Sequence, residues 1–232
     1  MTKSDFDLWE KEWGGKCFFN EGTNRSKGEA ILVSRNFSGD ISLLEYSERT
    51  IIVSMNLDKN AYTLVNCYAP NSSADKCTYY NYLCEKLSDI QDNLIIVGDF
   101  NCTRNNDLDI ISGLPHSQTD VDSLNNFLDT LSLTDAYRHQ HPNTKDYSYN
   151  RINPFIARRI DYCFITENIS SVNFTCILDY VPNTDHKAVV FEMIESKINL
   201  GPGYWKCNNS YLENAEFLDK FNNFFGRLIE KN

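Results

Sequence analysis

Through the first half of the chain, apolar residues alternate with polar ones or fall in short blocks bounded by turn residues. Each such block reads as a β-strand, and residues 30–33, 41–44, 50–55 and 62–68 are the first four. Ala69-Pro70-Asn71 ends the last of these. From 73 to 91 the spacing of Tyr79, Tyr82, Leu83, Leu87 and Ile90 becomes that of a helix. A strand at 94–97 follows, then an irregular acidic loop through Asp109. A short helix at 122–130 carries Leu124, Phe127 and Leu128 on one face. Strands at 147–149, 160–166 and 172–178 and one after His186 complete the pattern. Antiparallel meanders interrupted by helices predict two sheets packed face to face with helices outside. Residues 208–232 read as an amphipathic helix, with Phe217, Phe221, Phe224 and Leu228 seeking a partner surface.

The stretch Leu94-Ile95-Ile96-Val97-Gly98-Asp99-Phe100-Asn101 is a buried strand delivering two polar side chains at its C-terminal end. Ligands bind beyond that end in α/β sheets. Two residues apart on a strand, Asp99 and Asn101 point the same way and can both face one metal ion or one attacking water. The same residues also fit a turn in which they only cap backbone groups. Downstream, Asn183-Thr184-Asp185-His186 stands at the entrance of a strand, and a histidine beside an aspartate has the makings of a general acid or base. Asp161 lies on the apolar run Ile160-Asp161-Tyr162-Cys163-Phe164-Ile165. A carboxylate there is costly unless paired or metal-bound, and His186 is a candidate partner.

Five motifs occur in order: Asn66-Cys67-Tyr68-Ala69-Pro70-Asn71, Gly98-Asp99-Phe100-Asn101, Tyr147-Ser148-Tyr149, Arg159-Ile160-Asp161-Tyr162 and Thr184-Asp185-His186. Together they resemble the endonuclease/exonuclease/phosphatase superfamily, and within it the endonuclease domain of LINE-type (non-LTR) retrotransposon polyproteins. The segment 201–210 resembles the link from that nuclease toward a reverse transcriptase. The resemblance implies an α/β (α+β) four-layer sandwich over residues 1–198, two mixed sheets between helices, followed by a linker and amphipathic helix at 199–232. It also carries a departure. Family members open with a strand bearing an Asn and a second strand bearing the principal metal-binding Glu. Here residues 1–15 resemble the loop after that Glu, so the expectation is a domain lacking the first strand, the first helix and both residues. Thr184 stands where the family usually has Ser.

The activity so implied is metal-assisted phosphodiester hydrolysis of DNA, with Mg²⁺ (or Mn²⁺) weakly bound because the principal Glu is missing. By resemblance, Asp99 activates or orients water and Asn101 positions it. His186 stabilises charge on the phosphate, Asp161 orients His186, and Tyr68 contacts the phosphate. Asp185 assists the metal, and Ser148 and Thr184 add hydrogen bonds. A catalytically dead descendant serving as a binding or scaffold module is the alternative. A phosphomonoesterase of the same superfamily ranks lower, because Asn101-Cys102-Thr103 lacks that branch's Asn-x-Arg.

Composition fits one soluble domain. The 232 residues are 41% hydrophobic with 13 Tyr and 14 Phe, enough for one sizeable core. No apolar run approaches a membrane span. The eight cysteines form no Cys-x-x-Cys pair and read as reduced thiols of a nuclear or cytoplasmic, not secreted, protein. The net charge of −10 argues against a broad basic DNA-binding face. DNA contact is therefore expected to be transient and local. Arg151, Arg158, Arg159 and Lys187 flank the candidate site and are the expected phosphate contacts.

Overall fold

The centre of the protein is one six-stranded mixed sheet. The computed structural model describes residues 3–22, 28–57, 60–90, 93–170, 173–193, 215–216 and 218–220. In chain order the elements are α1 (Lys3–Trp13), β1 (Cys17–Asn20), β2 (Glu29–Leu32), β3 (Asp40–Ser47), β4 (Thr50–Leu57), β5 (Asn60–Tyr68), α2 (Ser73–Leu87), β6 (Asn93–Asp99), α3 (Gln118–Thr130), β7 (Leu133–Asp135), α4 (Ala136–Gln140), β8 (Tyr149–Arg151), β9 (Ile156–Arg158), β10 (Asp161–Thr166), α5 (Glu167–Ser170), β11 (Phe174–Asp179) and β12 (Ala188–Met193). The central order is β3-β4-β5-β6-β10-β7. Among the described strands only β5 and β6 pair in parallel, and α2 provides the crossover that a parallel pair requires.

Strand periodicity sends alternate residues to opposite faces, and each face has its own core. Ile52, Val65, Cys67, Leu94, Ile96, Tyr162 and Phe164 pack under Tyr80 and Leu83 of α2 and Leu124 and Phe127 of α3. On the other face, Ile51 and Val53 meet Phe18 and Val33 at the β1–β2 hairpin. Further along, Ile95, Cys163 and Ile165 meet Phe174 and Cys176 of the β11–β12 hairpin and Tyr137 of α4. The α/β class with a large mixed sheet and helices is thus observed. The second layer, expected as one sheet, consists of two separate two-stranded hairpins among the described residues.

Residues 3–13 form a helix where the sequence suggests a loop. Its Phe6 stacks on Phe19 at 4.4 Å, giving the segment an apolar anchor. The hairpin strand β1 at Cys17–Asn20 is not among the expected strands, and it and the short β7, β9 and α4 are too brief for periodicity to reveal. Two compact units divide after Glu195. In the second, residues 215–216 and 218–220 are helical, and Lys220 pairs with Glu216 at 2.7 Å. The remainder of the amphipathic helix expected at 208–232 lies outside the described residues. Among the described residues no helix is long and apolar enough to cross a membrane, and seven cysteines are unpaired thiols.

One buried carboxyl shapes the pH response of the β1–β2 hairpin. Glu29 is 7% exposed, and its Oε1 has no hydrogen-bond partner. Asn20 accepts the Glu29 N–H at 2.7 Å and donates to the Ser47 carbonyl at 2.8 Å. Burial pushes the Glu29 carboxyl up to about 8, against the lowering influence of Asn20, Arg49 and the Tyr68 backbone. A folded-state value above the unfolded one stabilises the fold fully below the unfolded value, and this contribution is lost as pH rises through about 8. Glu29→Gln is therefore expected to raise the Tm by several degrees at pH near 9 and change it little at pH near 5. Parallel melting curves for the two proteins across this range check it, and equal curves would refute it.

Candidate active site

Gly98 and Asp99 end β6 at its contact with β5, where the two backbones approach closely. Gly98 has φ +140°, and a Cβ there would lie 1.9 Å from the Cys67 carbonyl oxygen, so only glycine fits. The strand stops at Asp99, held by Ala69 N–H donating to its carbonyl at 2.8 Å. Phe100 then turns into the core, 4.8 Å from the Phe164 ring. Asn101 has φ +47°, a left-handed conformation that asparagine tolerates. Its N–H donates to Asp99 Oδ1 at 2.8 Å, and its Nδ2 donates to the Ala69 carbonyl at 2.8 Å. Asn101 thus stands beyond the strand and orients the Asp99 carboxylate through a turn, instead of pointing beside it along a continued strand.

Sheet register brings the second carboxylate in. Asp161, first residue of β10, pairs directly with Asp99. His186 precedes β12 and reaches Asp161, donating Nδ1–H to its Oδ2 at 2.9 Å. One ligand atom from each of Asp99, Asp161 and His186 lies within 4.8 Å of the others. Two carboxylates in one half-buried cluster oppose each other's ionisation. Burial and then the Asp161 charge raise the Asp99 carboxyl well above the ordinary carboxylate range. His186 is raised chiefly by its hydrogen bond to Asp161, with burial opposing and the charges of Asp161, Asp99 and Asp185 assisting. Such a concentration of anionic oxygen suits a hard divalent cation. Among the described residues no glutamate joins the group.

The other expected site residues divide by burial. Tyr68 lies opposite Asp99 in the β5–β6 register, with the Arg49 guanidinium 5.4 Å from its ring centroid. Asp185 is exposed and outside the three-residue cluster, and its carbonyl accepts Asn150 N–H at 2.7 Å. Thr184 is exposed, and its hydroxyl accepts the His186 N–H at 3.1 Å. Lys187 pairs with Asp146. Arg151 is exposed on β8. Arg158 is half-buried and turns toward the loop around His116.

Two expectations are corrected. Ser148 is fully buried, and its hydroxyl accepts the N–H groups of Ile160 and Asp161, both at 3.0 Å. It therefore fixes the backbone that presents Asp161 and is not open to substrate. Arg159 is 1% exposed, clamped by Asp109 at 2.9 Å and Asp135 at 2.8 Å, with the Tyr162 ring 4.4 Å away. Its charge is spent in the core and does not face a phosphate. Tyr149, whose ring lies 5.1 Å from that of His186, forms a wall of the site that no spacing argument assigns.

Residues 13–186 match the Endonuclease/Exonuclease/phosphatase family. The uncharacterized 149 kDa protein of transposon TX1 from Xenopus laevis is 29% identical over 217 residues, covering 90% of this chain. The chain spans 16% of the length of that relative. The endonuclease domain of TRAS1, a telomere-specific non-LTR retrotransposon, superposes with a TM-score of 0.62 at 17% identity, over 78% of this chain and 81% of that one. A 3′ phosphatase, NExo from Neisseria, bound to a product DNA hairpin, gives 0.62 at 16% identity, over 84% and 85%. With the match spanning most of the described fold and all three residues of the acidic cluster, the chain belongs to the endonuclease/exonuclease/phosphatase family, and among its relatives is a transposon protein.

Proposed function

We propose that the chain is a divalent-metal-dependent DNA phosphodiesterase of retrotransposon origin that nicks one strand. The convergence of Asp99, Asp161 and His186 within 4.8 Å carries this reading. Asp99 and Asp161 would hold Mg²⁺ or Mn²⁺, with the neighbouring Asp185 charge, which acts on His186, assisting. A bound cation would neutralise charge on the phosphate oxygens. Asp99, steadied by the Asn101 N–H, accepts a proton from the attacking water as the new P–O bond forms. The P–O bond to the leaving sugar oxygen breaks, and that oxygen takes a proton from solvent. His186, fixed by Asp161 through Nδ1, turns Nε2 toward a phosphate oxygen. Tyr68 and Thr184 would supply further contacts to the phosphate, and Lys187 an added positive charge.

With two carboxylates in the cluster and no glutamate joining it among the described residues, cation affinity is expected to be low and turnover slow. The same observation supports a second reading, a descendant that binds without cutting. The net charge of −10 favours brief DNA encounters in either case. The expected setting is intracellular, nuclear or cytoplasmic, with a fused or associated reverse transcriptase as partner. Supercoiled plasmid incubated with the chain and millimolar Mn²⁺ or Mg²⁺ is expected to relax slowly through nicked circles. EDTA or His186→Ala should stop it. No nicking by a cooperatively melting chain would reject the nuclease reading in favour of the binding one.

A further inference from the structure

The ladder that carries His186 continues away from the acidic cluster. His186 bridges Tyr149, Tyr149 pairs with Arg158, and Arg158 bridges Ile110, so four chain segments lie side by side. Directly opposed residues in such a ladder share a face, and the Tyr149 ring against His186 marks which face it is. With neighbouring strands about 4.8 Å apart, Arg158 stands roughly 10 Å along from His186.

Arg158 differs from the other arginines around it. Arg104, Arg138 and Arg159 each pair with a buried aspartate. Among the described residues no carboxylate pairs with Arg158, and its Nε is buried without a hydrogen-bond partner. Its remaining nitrogens are held by neutral groups. Nη2 donates to the Leu114 carbonyl at 2.6 Å, and Nη1 lies 3.4 Å from His116 Nε2. The loop that supplies these groups is tied to β9 by Ile111 N–H on the Ala157 carbonyl and Ser112 Oγ on the Phe155 carbonyl. It passes the guanidinium at Gly113, where φ is +92° and a Cβ would lie 3.2 Å from Nη2.

His116 is anchored from behind. Its Nδ1 lies 4.0 Å from Asp120 Oδ2, and that oxygen holds the buried Lys76 Nζ at 3.2 Å. Burial and the flanking cations Lys76 and Arg158 push the imidazole down to about 4, so it is neutral at physiological pH. A neutral ring turning Nδ1–H toward Asp120 has its lone pair at Nε2, the acceptor that Arg158 Nη1 requires. Lys76, Asp120 and His116 thus form a chain from the α2–α3 interface to an arginine whose own charge is unanswered.

We propose that Arg158 is a phosphate subsite for the strand bound at the acidic cluster, and that His116 is its positioning residue, backed by Asp120 and Lys76. The inference rests on the phosphodiesterase reading for the identity of the anion. It would hold a flanking phosphate, one not being cleaved, and so set where the strand lies across Asp99 and His186.

The test is fluorescence anisotropy of a labelled DNA duplex with the full chain in EDTA, where nothing is cut. Arg158→Ala is expected to weaken binding about tenfold or more, as loss of a charge-assisted contact does. It should also reduce the slope of log affinity against log salt by about one. His116→Ala should weaken binding about threefold, and His116→Gln should restore it, because the amide oxygen can accept from Nη1. In the Arg158→Ala background, His116→Ala should add nothing. An unchanged salt slope in a folded Arg158→Ala protein overturns the subsite, and an additive double variant overturns the positioning role. If the unaltered chain binds no duplex, Tm shifts with inorganic phosphate decide. A shift lost in Arg158→Ala keeps the anion site and rejects DNA as its ligand, whereas equal shifts reject the site.

Discussion

Arg159→Met is expected to lower stability by about 3–5 kcal/mol, the usual result of removing one partner from a buried ion network. The guanidinium holds two aspartates, Asp109 and Asp135, that are themselves almost wholly buried. Arg138 and Arg104 keep partial hold of the two carboxylates, at 2.5 Å and 3.5 Å. They cannot reach the bidentate positions that Arg159 fills, and the ring contacts with Tyr162 and Tyr137 are lost as well. For a chain of this size the shift corresponds to roughly 6–20 °C in Tm. Scanning calorimetry checks it, and Arg159→Lys should recover only part of the loss. A Tm within two degrees of the parent would mean that the network is not what holds the loop at 103–109 to β10.

Asp161→Asn is expected to leave the Tm undiminished while slowing nicking by roughly 10²–10⁴-fold, the range of a positioned acid–base group. Asp161 faces Asp99 across the sheet, and its charge is the second cause, after burial, of the raised Asp99 carboxyl. Removing that charge relieves the fold. It also takes one of two carboxylates from the candidate cation site and weakens the hydrogen bond that sets His186. Loss of function without loss of stability is the signature of strain kept for chemistry. Single-turnover nicking at saturating Mn²⁺ beside a melting curve separates the two effects. Activity within threefold of the parent would remove Asp161 from the catalytic set.

Arg158 and Arg159 show where sequence reasoning stops. Both read as basic residues ahead of an apolar run, and both looked equally suited to a phosphate. Consecutive residues on extended chain point to opposite sides, so one had to face inward, and nothing local says which. The aspartates that decide it lie 50 and 24 residues away. Ser148 makes the same point: a hydroxyl in a motif reads as a substrate contact until its backbone partners, 12 and 13 residues on, are seen. His116 and Glu29 stand in segments with no periodicity or motif to single them out. Only burial and neighbours give them roles.

By itself the sequence determined the local elements. The strands read at 50–55, 62–68, 94–97 and 160–166 and the helices read at 73–91 and 122–130 follow from hydrophobic periods of two and about three and a half, which depend on near neighbours alone, and the structure places elements at each. It also determined that Gly98-Asp99 ends a buried strand, because a block of four apolar residues gives way there to a glycine and two polar side chains. Tertiary structure decided the rest. The register of β10 against β6 sets Asp161 opposite Asp99, and the return of the chain before β12 brings His186 to it across 25 residues. The second layer divides into two hairpins, and one of two adjacent arginines is spent in the core while the other lies half-buried against the loop around His116. Such outcomes depend on which distant groups share a face, and that is set by pairing and packing over the whole chain, which no local period encodes.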